Sequence, residues 1–370
     1  MSGSEAAGPA AEESLALATR AGIHTIALPT PFLVGRVNCY LIDDDPLTLV
    51  DTGPNSGKSL DALEQALDQH GRAIEELELI VLTHQHMDHV GLLEILARRS
   101  GAQIAALHLL GPYLESFPVS AAADDEFAEA IMRRHGVPED VITALSSVGA
   151  AFRAFGSSGR VTRALHDGDE LQFKDRSLRV LHRPGHSPSD TVFWDEQRRM
   201  LIAGDHLLAH ISSNPLVSRP LAGAAKPPAG GAAEPATGGA ARPPTGGAAQ
   251  PEGQRTRALI QYIDSMRATR ELPARLVLTG HGEPVSDHAG LIDERLRMHQ
   301  RRARKILRML AEEPLTAYEI AFRIWGNVAV TQAFLTLSEV LGHLDLLAEA
   351  GHARECRDGG VVRFEALARR

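Results

Sequence analysis

Histidines 84, 86 and 89 and Asp88 stand within six positions in "THQHMDHVG", residues 83–91. The order is H-x-H-x-D-H, and it follows an apolar run directly. Neutral imidazole and carboxylate are the donors that borderline divalent metals such as zinc accept. A polar surface loop has no need of such a density of lone pairs. Three further candidates follow in order at the ends of apolar runs: His186 in "RPGHSPSD", Asp205 in "AGDHLL" and His281 in "LTGHGEP". A lone histidine after a strand is more often structural, but the ordered recurrence after the first cluster gives these weight. The full set is too large for one tetrahedral zinc. Two ions roughly 3.5–4 Å apart need a bridging carboxylate and leave a bridging hydroxide as nucleophile. Metal binding lowers the pKa of that water from about 15.7 to about 7, so no serine or cysteine nucleophile is required.

The elements around these residues alternate between strand and helix. "RVNCYLIDDDPLTLVDTG" reads as two strands joined at "DDDP". In "SLDALEQALDQH", Leu60, Leu63 and Leu67 share a helical face. "LELIVLTH" is a short β-branched run and predicts a buried strand that ends where the cluster begins. "VGLLEILARR" then restarts a helix. This order is an α/β pattern, in which a rigid sheet positions functional side chains in the loops after its strands. Residues 113–165 read as helix and loop. Strands return from Glu170, a helix is expected near Arg257–Arg270, and "ARLVLTGHG" closes the pattern.

The segment 220–253 carries "GGAAEP", "GGAARP" and "GGAAQP" from Gly230, Gly238 and Gly246, with a weaker copy at Ala222. Alanine is the only apolar residue of each unit, so the expectation is a disordered insertion in the domain. Residues 1–15 are expected to be a frayed start, and 16–286 the catalytic domain. From 287 to 370 the pattern changes to a long basic helix, a second helix opened by the capping box Thr316–Glu319, a third over 331–350, and a hairpin turning at 358–360. Phe334, Leu337, Leu341, Leu344 and Leu347 stripe the third helix, and Gly351 stops it. Three helices and a two-stranded wing predict a winged helix.

Composition narrows the rest. The 370 residues are 44% hydrophobic and 23% charged, as in ordinary water-soluble domains, and the net charge of -9 attracts neither nucleic acid nor an anionic membrane overall. Cys39 and Cys356 lie far apart, which excludes a disulfide framework or cysteine zinc site, and Cys39 reads as a buried strand residue. No segment reads as a signal peptide or a membrane span, so a cytoplasmic protein is expected.

Together, "LVDTG", "THQHMDHVG", "PGHS", "GDHL" and "GHG" resemble the metallo-β-lactamase superfamily from about Pro29 to Pro284. The resemblance implies a four-layer αββα sandwich of α/β class. It implies that His84, His86 and His186 hold one metal, that Asp88, His89 and His281 hold the second, and that Asp205 bridges them. Asp88 and Asp205 are then also the catalytic carboxylates, and Asp51 a supporting residue. Two zinc ions per chain are the expected cofactors; iron or manganese would suit the same donors. The metal site resembles that of the hydroxyacylglutathione hydrolases. The C-terminal part resembles the winged-helix domain of certain members, a lactamase-like endoribonuclease among them. His206 is a candidate to hydrogen-bond beside the site, whereas His108, His166 and His182 have no motif context.

Such a site hydrolyses thioesters, lactones, β-lactams and phosphodiesters in different members. A small thioester or ester is the first expectation. "GHGEPVSD" departs from the motif that leads into a glutathione-binding segment, so the thiol carrier stays open. Nucleic-acid cleavage is the alternative. For it stand seven Lys/Arg residues and no acid between Arg295 and Arg308; against it stand Glu339, Asp345 and Glu349 on a third helix without Lys or Arg. A domain that covers the active-site mouth or forms a homodimer fits that acidic helix better. A non-enzymatic ligand sensor would not need the complete donor set, and the lack of a signal peptide weighs against the secreted β-lactamases.

Overall fold

The computed structural model describes residues 9–222, 255–358 and 360–367. Six strands lie side by side in chain order in the first sheet: β1 (Ile23–Leu28), β2 (Val37–Ile42), β3 (Thr48–Val50), β4 (Leu79–Val81), β5 (Gln103–Leu107) and β6 (Arg163–Leu165). The first three pair antiparallel and the rest parallel. Helices α1 (Pro9–Arg20), α2 (Gly57–Gln69), α3 (Met87–Val90), α4 (Leu93–Ser100), α5 (Leu110–Glu115), α6 (Phe117–Arg134) and α7 (Glu139–Phe152) occur in this part of the chain. The second sheet runs β11-β10-β9-β8-β7, from β7 (Glu170–Gln172), β8 (Ser177–His182), β9 (Thr191–Asp195), β10 (Met200–Gly204) and β11 (Leu276–Thr279). Helix α8 (Ala258–Arg270) lies between β10 and β11, the one parallel pair of that sheet.

Strand periodicity explains the layering. Successive side chains of β2 point to opposite faces. Val37, Cys39 and Leu41 meet α2 and α4, while Tyr40 and Ile42 meet the second sheet through Val180, Phe193 and Leu278. The far face of the second sheet packs Val192, Leu201 and Val277 on Tyr262 and Met266 of α8. The result is the expected αββα sandwich.

The C-terminal unit comprises α9 (His288–Leu310), β12 (Leu315–Thr316), α10 (Ala317–Trp325), α11 (Val328–Thr331), α12 (Ala333–Glu349), β13 (Ala353–Asp358) and β14 (Val361–Ala366), with a small sheet ordered β12-β14-β13. Asp287 caps α9 by accepting from Gly290 N at 2.9 Å. The capping box forms: Thr316 Oγ1 accepts from Glu319 N at 3.0 Å, and Glu319 accepts from Thr316 N at 2.7 Å. None of the described helices is long and apolar enough to cross a membrane.

Several expectations change. Helix α1 begins at Pro9, inside the stretch expected to be frayed, and Ala18 packs between the sheets. Strands β1, β5, β6 and β12 went unmarked in the sequence. The third C-terminal helix starts at Ala333, behind the separate short α11, and Phe334 is only partly buried. Leu221, at the edge of the repeat segment, is buried in the first sheet's core. The repeats themselves, from 223 on, lie outside the described residues.

The largest change concerns α12. It is buried along much of its length, with Leu337, Ser338, Val340, Leu341 and His343 inaccessible and Gly342 buried among them. A Cβ on Gly342 would come within 2.6 Å of Leu259 Cβ in α8, so the two helices touch there backbone to side chain. The helix's three acids are all paired. Arg255 donates to both oxygens of Asp345, Arg257 donates to Glu349 at 2.9 Å, and Arg302 clasps Glu339. The acidic character belongs to an intramolecular interface.

Candidate metal centre

All seven candidates converge at one edge of the sandwich. His84 and His86 follow β4, and Asp88 and His89 lie on α3. His186 sits in the turn after β8, Asp205 follows β10, and His281 follows β11. Their ligand atoms form three overlapping trios, each within 4.8 Å: His84, His86 and His186; His84, His89 and Asp205; Asp88, His89 and His281.

The hydrogen bonds around the rings fix which nitrogens face inward. Thr83 Oγ1 donates to Asp51 Oδ2 at 2.7 Å, so its oxygen accepts from His84 Nδ1 at 2.9 Å. His89 Nδ1 donates to Asp51 Oδ2 at 2.8 Å. His186 Nδ1 donates to the Asn214 carbonyl at 3.0 Å, and His281 Nδ1 to the Arg36 carbonyl at 2.8 Å. With the outer nitrogens protonated, each inner Nε2 presents a lone pair. His84 Nε2 and His186 Nε2 both stand 3.0 Å from His86 Nδ1. A single proton on His86 Nδ1 can satisfy only one of the two. On the other side, the buried atoms His89 Nε2, His281 Nε2 and Asp205 Oδ1 have no hydrogen-bond partner. Asp205 lies between the two sides, with Oδ1 3.5 Å from His89 Nε2 and Oδ2 3.6 Å from His186 Nε2 and 3.5 Å from His281 Nε2. Asp88 Oδ2 is 3.3 Å from His281 Nε2. Buried donor atoms that converge without partners fit divalent cations and little else.

Charge follows the same division. Burial and the neighbouring His89 and His86 depress the pKa of His84 far below the ordinary histidine value. Burial, then His186, depresses His86 to about 3. Both therefore stay neutral, the form a metal takes. Burial opposes ionisation of Asp88 and Asp205, but the nearby histidines outweigh it and hold both carboxyls below their usual range. For His89 and His281 burial favours the neutral ring, and the carboxylates Asp205, Asp51 and Asp88 reverse that. The pocket is a buried seat for positive charge.

Asp51 takes the supporting position expected of it. It is buried, stands at φ 60°, and also accepts from Thr83 N at 2.8 Å. His206 does not face the site: its Nε2 meets Thr269 Oγ1 at 2.9 Å, on α8. His108 stacks on His166 at 4.6 Å, and His182 donates to the Pro188 carbonyl at 3.0 Å.

Sequence reasoning missed the supports other than Asp51. Asn38 Nδ2 donates to the Thr279 and Gly282 carbonyls at 3.0 and 2.9 Å, and Tyr40 OH donates to Thr279 O at 2.6 Å. They bind the His281 loop to the first sheet, yet "VNCYLI" reads only as strand. Asp190 accepts from Ser187 N at 2.8 Å and Ser187 Oγ at 2.7 Å, which closes the turn that carries His186. Burial pushes its carboxyl up to about 6, against His186 and the Ser187 bonds. Two glycines beside the motifs also went unread. A Cβ on Gly280 would sit 2.1 Å from Asp205 Oδ1, and one on Gly91 2.2 Å from Asn55 N and Phe155 O.

A cavity of about 540 Å³ opens over the centre, with His86, Asp88, His186, Asp205 and His281 in its lining. Much of its remaining wall is apolar, and Phe334 and Leu335 of α12 form part of it.

The chain belongs to the metallo-beta-lactamase superfamily: residues 33–281 match that family's sequence profile. Over 351 residues, 95% of this chain and 100% of the relative, it is 30% identical to the probable metallo-hydrolase YqjP of Bacillus subtilis (strain 168). The hydroxyacylglutathione hydrolase GloC of Haemophilus influenzae is 26% identical over 180 residues, 48% of this chain and 69% of that protein. Among solved structures, a beta-lactamase domain protein from Burkholderia ambifaria aligns with a TM-score of 0.74 and 26% identity, covering 94% of this chain and 92% of the other. The protein is a metal-dependent hydrolase.

Proposed function

We propose that the protein is a binuclear hydrolase of a thioester or ester. His84, His86 and His186 would hold one divalent ion and Asp88, His89 and His281 the other, with Asp205 shared between them. The observation that carries this reading is the convergence of imidazole nitrogens and carboxylate oxygens on both sides of Asp205, with His89 Nε2, His281 Nε2 and Asp205 Oδ1 unpartnered, at one end of a largely apolar cavity. Zinc ions bound there would supply a water ionised near neutral pH and would polarise the carbonyl under attack. The chain's own residues do the rest. Asp51, Asn214 and the Arg36 carbonyl hold three rings with their lone pairs inward. Asp88 remains charged and lines the cavity, where it accepts a hydrogen bond from the attacking water and takes up its proton. Water adds to the carbonyl carbon, the C–S or C–O bond breaks, and the leaving thiolate or alkoxide takes the proton that Asp88 removed from the water.

The GloC relative supports the thioester class by its name. The burial and pairing of α12 speak against nucleic-acid docking through that helix, since a reading helix must present a free face to the groove. The test is turnover of zinc-loaded protein on thioesters, lactones, a β-lactam, a phosphodiester and structured RNA. Thioester or ester cleavage is expected; cleavage of RNA alone would overturn the assignment.

A further inference from the structure

We propose that the cavity seats the apolar acyl chain of a medium- or long-chain substrate, and that Phe334 and Leu335 of the C-terminal unit form the wall that selects it. The proposal rests on the reading of the centre as an ester or thioester hydrolase. Five ligand candidates and this wall line one continuous space, so a carbonyl at the centre leaves its acyl chain to run along the apolar part. Phe117 and Phe152 line it from α6 and α7, Val217 from the segment after β10, and Phe334 and Leu335 from α12.

The charged groups on the wall are already paired. Arg153 meets Asp125 at 3.1 Å, while Asp124 accepts from Arg219 at 2.6 Å and from Tyr113 OH at 2.9 Å. They offer a polar tail little that is not already engaged. Val34, Ile211 and Leu335 also line the space, yet 38%, 49% and 38% of each is exposed. Large apolar side chains held in water beside a cleft are what a bound hydrocarbon chain would cover.

The wall is tied to the centre. Asn214 accepts from His186 Nδ1 through its carbonyl and donates through Nδ2 to the Leu335 carbonyl at 2.9 Å. One residue therefore orients a candidate metal ligand and fixes the start of α12. The C-terminal unit acts as part of the substrate pocket.

Chain length tests this. N-acetylcysteamine thioesters of butanoic, octanoic and dodecanoic acid are compared on the zinc-loaded full chain. Wild-type kcat/KM should rise about three- to fourfold per buried methylene until the cavity is filled. Gly149 lines the cavity from α7, and a Cβ there would meet only Asp125 Oδ1, at 3.7 Å. Gly149→Leu should therefore fill the space without disturbing the helix, cutting dodecanoyl turnover by at least about tenfold while butanoyl turnover is retained. Leu335→Glu, at an exposed position, should shift the preference the same way. Calorimetric titration with dodecanoate gives a readout without turnover: the wild type binds it and Gly149→Leu binds it more weakly. Butanoyl cleavage with a flat chain-length profile and no dodecanoate binding would overturn the acyl seat and leave the hydrolase standing. Dodecanoate bound, and weakened by Gly149→Leu, with no thioester or ester cleaved at any length, would remove the thioester or ester reading and leave the seat.

Discussion

Among the described residues, two buried clusters have the composition of a metal site. One is the seven-residue centre. The other is His299, Glu339 and His343, between α9 and α12. In the second, most donors are engaged. His343 Nδ1 donates to the Glu339 carbonyl at 2.6 Å, His299 Nδ1 stands 3.3 Å from His343 Nε2, and Arg302 clasps the Glu339 carboxylate. His299 Nε2 alone lacks a partner. The guanidinium already provides the positive charge that an ion would bring. In the first, the ion pairs of Asp88 and Asp205 among the described residues are all with histidines, and unpartnered atoms of three candidate ligands face one another beside a cavity. Residue type is common to both. Convergent lone pairs without a resident cation distinguish the centre from a helix contact.

The comparison breaks most easily at Asp205. Asp205→Asn keeps the size of the side chain but removes the bridging charge. Turnover should fall at least about a hundredfold, a loss of several kcal/mol of barrier stabilisation. Retention of more than about a tenth of kcat would contradict the bridging role. Asp51→Ala should be the next most damaging. It frees His89 to turn its lone pair away, and zinc affinity should drop roughly 10–100-fold by competition with a chelator. Unchanged affinity would mean that the ring is held by packing alone.

Arg302→Ala probes the other cluster. It leaves Glu339 buried without its cation, and urea unfolding should show a loss of about 2–3 kcal/mol. Metal content should stay the same; a fall by one ion would turn this cluster into a metal site. Acid should weaken the fold as a whole. Burial depresses His135 and His206 to about 3 and His299 to about 4. Unfolded histidines take up protons near pH 6.5, so between about 6.5 and 4 the unfolded chain binds more protons and stability falls as pH is lowered. Equal stability at pH 7 and pH 5 would contradict this, and His299→Phe should flatten the dependence. The smallest effect is expected from neutralising Arg301, Arg304 and Lys305, which are exposed on α9. Thioester turnover should not change, and no salt-dependent RNA binding should exist to be lost. Tight RNA binding with a salt slope that falls by about 0.7 per contact removed would restore the nucleic-acid reading.

The centre was legible because chemistry forces it into short motifs at strand ends. His84, His86, Asp88 and His89 declare themselves in six positions. Apart from Asp51, its supports were not, because a backbone carbonyl such as that of Arg36 or Asn214 leaves no trace in residue type. The strand β1 hid because "IHTIAL" mixes polar and apolar residues without clean alternation. On α12 the sequence showed acids without bases and suggested a covering domain. The partners Arg255 and Arg257 lie nearly a hundred residues away, so only the fold reveals that those acids face arginines.

The central claim is that two ions sit on these seven residues. Elemental analysis of zinc-loaded protein, dialysed free of excess metal, tests it most directly. Two zinc ions per wild-type chain, falling to one or none in Asp205→Asn, is the predicted result. One ion or none in the wild type would contradict it.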